Sequence, residues 1–327
     1  MSNPSDGDDQ TPTLTKGRMD TVRVSRHQTL KLLSDAGPFG FRSLADATVV
    51  ADDPGVSAEA AGRTDIGRVR ENNQDQFLIA SLERSLLVEG SSFPAQAGTR
   101  LSDTPQGRLF IVADGIGGHG GGEVASAVAI DAMAHYAFAM MPWVLRRGIQ
   151  DVEALVAGLE QALRNAQARL RRVAKRKNLP EKLGTTLTMA YVRWPDAVFL
   201  HVGDSRAYLF RDGDMVRLTQ DHTLAEKLVE SQAMSREEAE RSHFSHVLVN
   251  AVGGGSDALE VEVHKIVLQQ DDKLLLCSDG LSGYVDEDAI AAKVRSDAPV
   301  DEIVGDLIDL ANEAGGRDNI TAVVARF

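Results

Sequence analysis

Three aspartates, each at one end of an apolar run, are the residues whose type and position could do chemistry. One apolar run ends at Asp114, a second ends shortly before Asp279, and Asp318 precedes the closing apolar run. A carboxylate at a strand end, followed by glycine as in Asp114-Gly115, lets a hard cation reach both the side chain and a backbone carbonyl. These carboxylates lie far apart in the sequence and predict one oxygen-lined metal site that the fold assembles.

Other catalytic and metal-binding motifs are missing from the sequence. The glycine-rich segment 117–122 is not followed by Gly-Lys-Ser/Thr, so it is not a P-loop. There is no His-Glu-x-x-His motif, and one cysteine cannot build a thiolate zinc site. Cys277 lies in an apolar run with no arginine six residues on, which predicts a core residue and not a phosphatase nucleophile. The remaining donors, carboxylates and carbonyls, suit Mg²⁺ or Mn²⁺.

Short β-rich runs and longer helical runs must position these aspartates. Between residues 185 and 219 the β-rich runs are joined by turns such as Asp212-Gly213, and connections this short require antiparallel pairing. Strands are also predicted over 64–70 and 76–81. We therefore predict an α+β fold, a four-layer α-β-β-α sandwich of two antiparallel sheets flanked by helices. The predicted helices are 123–141, 151–177, 223–242, 286–294 and 300–314.

Composition and charge restrict the functional class. The 327 residues carry a net charge of −13 at pH 7, which argues against nucleic acid as the main partner. The single cysteine indicates a reducing compartment, and the start of the chain lacks the pattern of a signal peptide. The apolar segment 124–145 contains Asp131 and His135, which predicts a core helix and no membrane span. The sequence thus predicts a cytoplasmic protein.

The first 56 residues differ from the rest of the chain. They combine Pro, Ser, Asp, Gly and Thr with weak hydrophobic periodicity. Two interpretations stay open, a disordered solvated tail and a docking or regulatory segment. We predict a boundary here, with residues 1–56 as an N-terminal tail and 57–327 as one folded domain.

The acidic residues belong to six short motifs that follow one another along the chain. The motifs are Arg70-x-x-Asn73-Gln74-Asp75, Asp114-Gly115-x-Gly117-Gly118, Gly184-Thr185-Thr186, Gly203-Asp204-Ser205-Arg206, Ser278-Asp279-Gly280 and Asp318-Asn319. In this order they resemble the bacterial branch of the 2C-type metal-dependent serine/threonine protein phosphatases. The resemblance covers the chain from about residue 62 to its end. It implies a phosphatase that hydrolyses phosphoserine and phosphothreonine on proteins.

The resemblance also implies how the acidic residues would bind two Mn²⁺ or Mg²⁺ ions. Asp114 would bridge both ions, with the carbonyl of Gly115 on one of them. Asp279 and Asp318 would complete the ligands of the other ion, and Asp75 would hold water molecules bound to the ions. The water that bridges the two ions would be the nucleophile, so that no covalent phosphoenzyme is needed.

A phosphate contact and a weaker third ion are further implications of the resemblance. Arg70 would bind the substrate phosphate, a role that its planar guanidinium suits. Asp204 would hold the third ion together with Asp279, although Asp204 could instead be a simple turn residue. The expected partners are phosphorylated proteins, among them a serine/threonine kinase and its substrates, and the enzyme is expected to be a monomer.

At three positions the sequence departs from the family pattern. Gln74 stands where many members have glutamate, which weakens an acidic contact to the second ion. Ile116 stands where animal members have a histidine that protonates the leaving group, which leaves the general acid open; nearby His119 is predicted to cap or pack. Gly283 replaces an aspartate that helps to bind the third ion. These departures leave an alternative, a catalytically weak pseudophosphatase that acts as a metal- or kinase-binding module.

Residues 219–255 correspond to the flap beside the active site of such phosphatases. His243 and His246 in this segment are predicted to be surface or packing residues, with substrate contact as the alternative. A further alternative function, a metal-dependent phosphodiesterase or nuclease, is disfavoured by the acidic charge.

Overall fold

The computed structural model describes most of the chain from residue 58 onward. The predicted tail, most of residues 84–106, and His119 lie outside the described residues, so what the sequence predicts for the tail and for His119 stays a prediction. The same holds for the domain boundary at residue 57. The described ranges are 58–83, 85–88, 100–102, 107–117, 121–146, 152–180, 182–255 and 259–327.

Strands and helices occur in blocks along the chain. The strands are β1 (Glu59–Asp65), β2 (Gln76–Leu82), β3 (Ser85–Leu87), β4 (Arg100–Ser102), β5 (Gly107–Ala113), β6 (Gly115–Ile116), β7 (Gly184–Thr185), β8 (Leu187–Arg193), β9 (Asp196–Val202), β10 (Arg206–Arg211), β11 (Asp214–Arg217), β12 (Val252–Gly253), β13 (Glu262–Val267), β14 (Lys273–Cys277) and β15 (Ile320–Arg326). The helices are α1 (Gly121–Arg146), α2 (Val152–Lys177), α3 (Leu224–Glu230), α4 (Arg236–Glu240), α5 (Asp279–Ser282), α6 (Glu287–Val294) and α7 (Val300–Glu313), with a 3₁₀ helix at His243–His246.

Two five-stranded sheets form the centre of the domain. One has the strand order β13-β9-β8-β5-β2 and the other the order β1-β15-β14-β10-β11. Neighbouring strands pair antiparallel throughout both sheets. A small third sheet, β12-β7-β6, lies beside the first and joins the end of the predicted flap to the residues after Asp114.

The period-two alternation of buried side chains explains the layers. In β5, Leu109 and Ile111 pack with α1 and α2, whereas Phe110 packs into the core between the two sheets. In β14, Leu275 packs with α6 and α7, whereas Leu274 faces the inter-sheet core. Because both faces of each central strand are buried, each sheet is covered by helices on its outer side. The predicted four-layer α-β-β-α sandwich is confirmed.

The observed elements differ from the predicted ones mainly at three places. The strand predicted over 64–70 is wrong, because β1 ends at Asp65, whose carboxylate accepts a hydrogen bond of 2.8 Å from the backbone N–H of Gly67. Gly67 has φ +79°, which breaks the strand and starts a loop. The helix predicted over 223–242 is two short helices, and a capping box at Ser235 opens the second. The short helix α5 was not predicted.

Other predicted local features are present. The hairpin at Asp212-Gly213 has both residues at positive φ, and the flanking residues Arg211 and Asp214 pair across it. Cys277 is fully buried, as predicted for a core residue. Among the helices that the structure describes, no candidate reaches the length and apolar character needed to cross a bilayer.

Candidate metal centre

The strand registers bring five motif aspartates to one end of both sheets. The residue after Asp75 pairs with the residue before Asp114 across β2 and β5. In the other sheet, the last residue of β14 pairs with the first residue of β10 and also with β15. Asp279 follows β14, Asp204 precedes β10 and Asp318 precedes β15. We call these five residues the carboxylate cluster.

Four members of the carboxylate cluster, Asp75, Asp114, Asp204 and Asp279, have raised pKa values. Burial, followed by repulsion from the other four, raises the pKa of Asp114 well above its usual range. Burial also raises the pKa of Asp75 to about 7, although two hydroxyl hydrogen bonds oppose the shift. Burial and like-charge repulsion raise the pKa values of Asp204 and Asp279 as well. A divalent cation among these groups would reverse such shifts, because it favours their ionised forms.

Two oxygens of the carboxylate cluster are buried without a hydrogen-bond partner in the part of the chain that the structure describes. They are Oδ1 of Asp75 and Oδ1 of Asp279. The hydroxyls of Ser278 and Thr321 each donate to Oδ2 of Asp75 at 2.7 Å, which fixes that carboxylate and leaves Oδ1 free. Buried polar atoms normally have partners, and carboxylate oxygens are ligands for hard cations. The donor set therefore fits Mn²⁺ or Mg²⁺.

Two threonines and a glycine fix the turn at Asp114. The backbone N–H of Thr186 and the hydroxyl of Thr185 donate to the Asp114 carbonyl at 2.9 and 2.8 Å. The Asp114 N–H donates to the Thr186 hydroxyl at 2.9 Å. The backbone of Gly115 lies against Gly122, where a Cβ would come within 2.6 Å of the Gly115 carbonyl oxygen. A side chain at position 122 would therefore cover the carbonyl that the sequence predicts as a metal ligand.

Arg70 lies at the rim of the carboxylate cluster. Its side chain is 54% exposed, and Nη2 donates to Oδ2 of Asp318 at 2.6 Å. An exposed ion pair of this kind contributes little to stability. The guanidinium is therefore available to a competing anion beside the cluster.

Gln74 and Asn319 have contacts that the sequence did not predict, although both lie in the quoted motifs. Nε2 of Gln74 donates to the carbonyl of Gly117 at 2.6 Å, which a glutamate carboxylate could not do because it has no donor. The Asn319 amide donates to the carbonyls of Ile66 and Asn72, and its oxygen accepts from the Gln74 N–H. Both side chains attach the loop before β2 to the carboxylate cluster.

A separate group of ligand-type side chains supports the turn at Asp204. The ligand atoms of His201, His222 and Glu262 lie within 4.8 Å of one another. Nε2 of His201 contacts two backbone carbonyls at 3.0 and 3.1 Å, so it carries the proton. Nδ1 of His222 accepts from the N–H of Gly203 at 3.2 Å. Because these nitrogens are used internally, we interpret the group as hydrogen-bonding support and not as a metal site.

The flap histidines lie at the surface, as predicted. His243 and His246 are exposed. The His246 ring stacks on Tyr284 with 6.0 Å between ring centroids and an interplanar angle of 14°. A Cβ at Gly283 would lie 3.7 Å from Cε1 of His246, so an imidazole borders the position where many members of the family have a carboxylate.

Known proteins that are similar in sequence to this chain are protein phosphatases. The family model described as protein phosphatase 2C matches residues 90–325. The serine/threonine phosphatase stp of Listeria innocua is 29% identical over 262 residues, which cover 80% of this chain and 93% of that protein. The serine/threonine protein phosphatase PstP of Mycobacterium tuberculosis is 32% identical over 268 residues, 81% of this chain and 44% of that longer protein.

Solved structures with a similar fold are also structures of serine/threonine phosphatases. The structure of the M. tuberculosis phosphatase PstP/Ppp has a TM-score of 0.66 at 31% identity, covering 83% of this chain and 98% of that one. The PstP catalytic domain in complex with two manganese ions has a TM-score of 0.62 at 32% identity, covering 82% and 97%. Fold, site and relatives together define a metal-dependent protein phosphatase. The chain belongs to the protein phosphatase 2C family, and relatives that are named phosphatases do not support the pseudophosphatase alternative.

Proposed function

We propose that this phosphatase hydrolyses phosphoserine and phosphothreonine on proteins at the carboxylate cluster, with two Mn²⁺ or Mg²⁺ ions. The observation that supports this most directly is the gathering of buried and half-buried carboxylates, two of whose oxygens have no partner among the described residues. The bound ions would activate the attacking water and neutralise charge on the phosphoryl group.

The residues of the carboxylate cluster would have separate roles. Asp114 would hold both ions with help from the Gly115 carbonyl, and Asp279 and Asp318 would complete the set of ligands. Asp75, whose orientation two hydroxyls fix, would hold water beside the ions. No side chain is needed as a nucleophile.

Cys277 in particular is unsuited to nucleophilic attack. It is fully buried in β14. Burial raises the pKa of its thiol to about 12, so at neutral pH it is not a thiolate.

Arg70 and Asp204 complete the proposal. Arg70 binds the substrate phosphate through its exposed guanidinium. Asp204 would hold a weaker third ion together with Asp279, the neighbouring charge that raises the pKa of Asp204 most. Because Gly283 supplies no carboxylate, we expect this third site to bind less tightly than the other two.

The proposed partners are phosphorylated proteins, including a serine/threonine kinase of the same cell and its substrates. We propose a cytoplasmic monomer. Comparing phosphoproteins in cells that carry the wild-type chain or the Asp114→Asn variant would identify the substrates. Sites whose phosphorylation rises only in the variant are the candidates.

The carboxylate cluster can be tested by hydrolysis of a phosphothreonine peptide and of p-nitrophenyl phosphate, with Mn²⁺ or with EDTA. We expect Asp114→Asn and Asp279→Asn to abolish turnover of both substrates and to lower Mn²⁺ binding in calorimetry, and Arg70→Ala mainly to raise KM. The control is Asp309→Asn, an exposed aspartate of α7 outside the cluster. Wild-type turnover by Asp114→Asn would contradict the proposal.

A further inference from the structure

An exposed basic loop borders the carboxylate cluster of this strongly acidic protein. Arg68, Val69 and Arg70 are consecutive and exposed, Val69 to 65%. Arg317 is exposed on the loop before Asp318. Since the whole chain has a net charge of −13, three exposed arginines around one acidic site are a local reversal of the protein's charge.

Backbone contacts join the two loops that carry these arginines. The N–H of Arg68 donates to the carbonyl of Gly316 at 2.6 Å. Gly316 has φ +51°, and a Cβ on it would lie 2.7 Å from Cγ of Arg68, so only glycine permits this contact. Arg70 is paired with Asp318, two residues after Gly316. The arginines therefore lie on adjoining loops that form one continuous surface.

Tyr284 connects this surface with the carboxylate cluster. The guanidinium carbon of Arg317 lies 5.8 Å from the centroid of the Tyr284 ring. Burial, followed by the charges of Asp279 and Asp318, raises the pKa of Tyr284, whereas the charges of Arg70 and Arg317 lower it. The tyrosine is thus close enough to sense both the carboxylates and the arginines, which places Arg317 at the mouth of the site.

Two of the arginines have no acidic partner among the residues that the structure describes. Arg70 pairs with Asp318. Neither Arg68 nor Arg317 forms an ion pair with any residue in the part of the chain that the structure describes. Glu71 is the acidic residue next to them in the loop, and it leaves the group with a positive balance. Guanidinium groups that are exposed and unpaired beside an active site are suited to binding carboxylates of a substrate.

We propose that Arg68 and Arg317 bind acidic side chains that flank the phosphorylated residue, so that this phosphatase prefers phosphosites in acidic sequences. The proposal rests on the proposed function of the carboxylate cluster. Exposed Val69 lies between Arg68 and Arg70 and offers apolar surface to a polypeptide, which a free anion would not use. The arginines also oppose the repulsion that the protein's net charge would exert on an acidic substrate.

The test uses two phosphothreonine peptides, one flanked by glutamates and one in which glutamines replace them. The measured quantity is the ratio of their kcat/KM values with saturating Mn²⁺ at low salt. An exposed ion pair changes binding by about 1.4- to 5-fold, so two pairs predict a wild-type ratio between about 2 and about 25. The double variant Arg68→Gln/Arg317→Gln should bring the ratio near 1. In the wild type, raising the salt to about 1 M should have the same effect, because charge screening weakens exposed pairs.

The control variant is Arg172→Gln, which removes the same charge from the exposed surface of α2 and should keep the wild-type ratio. A wild-type ratio near 1, or an unchanged ratio in the double variant, overturns the proposed preference for acidic sequences. If both peptides are hydrolysed in that case, the proposed phosphatase site still stands. If Mn²⁺-loaded wild-type protein hydrolyses neither peptide, both the site and the preference are wrong. The salt dependence in the wild type decides the question even if the double variant does not fold.

Discussion

Asp75 is the residue of the carboxylate cluster whose replacement should separate electrostatic repulsion from metal binding. Its side chain is 2% exposed and accepts hydrogen bonds from Ser278 and Thr321 on one oxygen only. We expect Asp75→Asn to stabilise the protein in the presence of EDTA, because the neutral amide is not repelled by the neighbouring carboxylates.

The magnitude follows from the pKa shift. The pKa of Asp75 rises from 3.8 to about 7. At about 1.4 kcal/mol per pKa unit, ionising this carboxyl above pH 7 costs the folded state about 4 kcal/mol. The amide weakens the two hydroxyl hydrogen bonds by about 1 kcal/mol, so the expected gain is about 3 kcal/mol at pH 7.5.

The pH dependence has a definite sign. Because the folded-state pKa of Asp75 is raised, its contribution to stability is fully present below pH 3.8 and is lost as the pH rises to about 7. Asp75→Asn should remove this part of the loss. The free energy of unfolding of the variant should therefore depend less on pH than that of the wild type between these values.

The assay is urea unfolding at pH 7.5 with EDTA and with Mn²⁺. Mn²⁺ at about 100 times its Kd should stabilise the wild type by about 2.7 kcal/mol, and the variant by less, because it lacks one carboxylate. The control is Asp272→Asn, since Asp272 is also buried but forms a bidentate ion pair with Arg211. This control should lose about 3 kcal/mol with or without Mn²⁺. A lower unfolding free energy of Asp75→Asn in EDTA would refute the electrostatic reasoning.

Two further predictions concern the surroundings of the carboxylate cluster. Burial lowers the pKa of His201 from 6.5 to about 4. Lowering the pH over this range should therefore reduce the free energy of unfolding of the wild type by about 3 kcal/mol more than that of His201→Gln. Equal reductions in urea titrations of both proteins would contradict this. A Cβ at Gly280 would lie 1.9 Å from the Asn319 carbonyl oxygen, so Gly280→Ala should weaken Mn²⁺ binding about tenfold in calorimetry. Gly121→Ala, whose Cβ would meet neighbours at 3.4 Å or more, should bind Mn²⁺ as the wild type does, and equal affinities of all three proteins would disprove the prediction.

Much of the fold could be predicted because its signals are local. The turn at Asp212-Gly213 and the alternation of buried residues in β5 are properties of neighbouring residues, and they indicate antiparallel sheets. The end of β1 was not predicted. The strand terminates because the N–H of Gly67 donates to the Asp65 carboxylate and because Gly67 has a positive φ, and the pattern of apolar and polar residues shows neither feature.

Asp114 and Asp279 can also be identified from the sequence, since each is a carboxylate that precedes glycine at the end of an apolar run. Their environment cannot. Ser278 reaches Asp75 across 203 positions of the chain and Thr321 reaches it across 246. Only the registers of two different sheets bring these residues together. The burial of these carboxyl groups and the distances between them raise their pKa values and leave Oδ1 of Asp75 without a partner among the described residues. Burial and distance are both fixed only once the two sheets have packed.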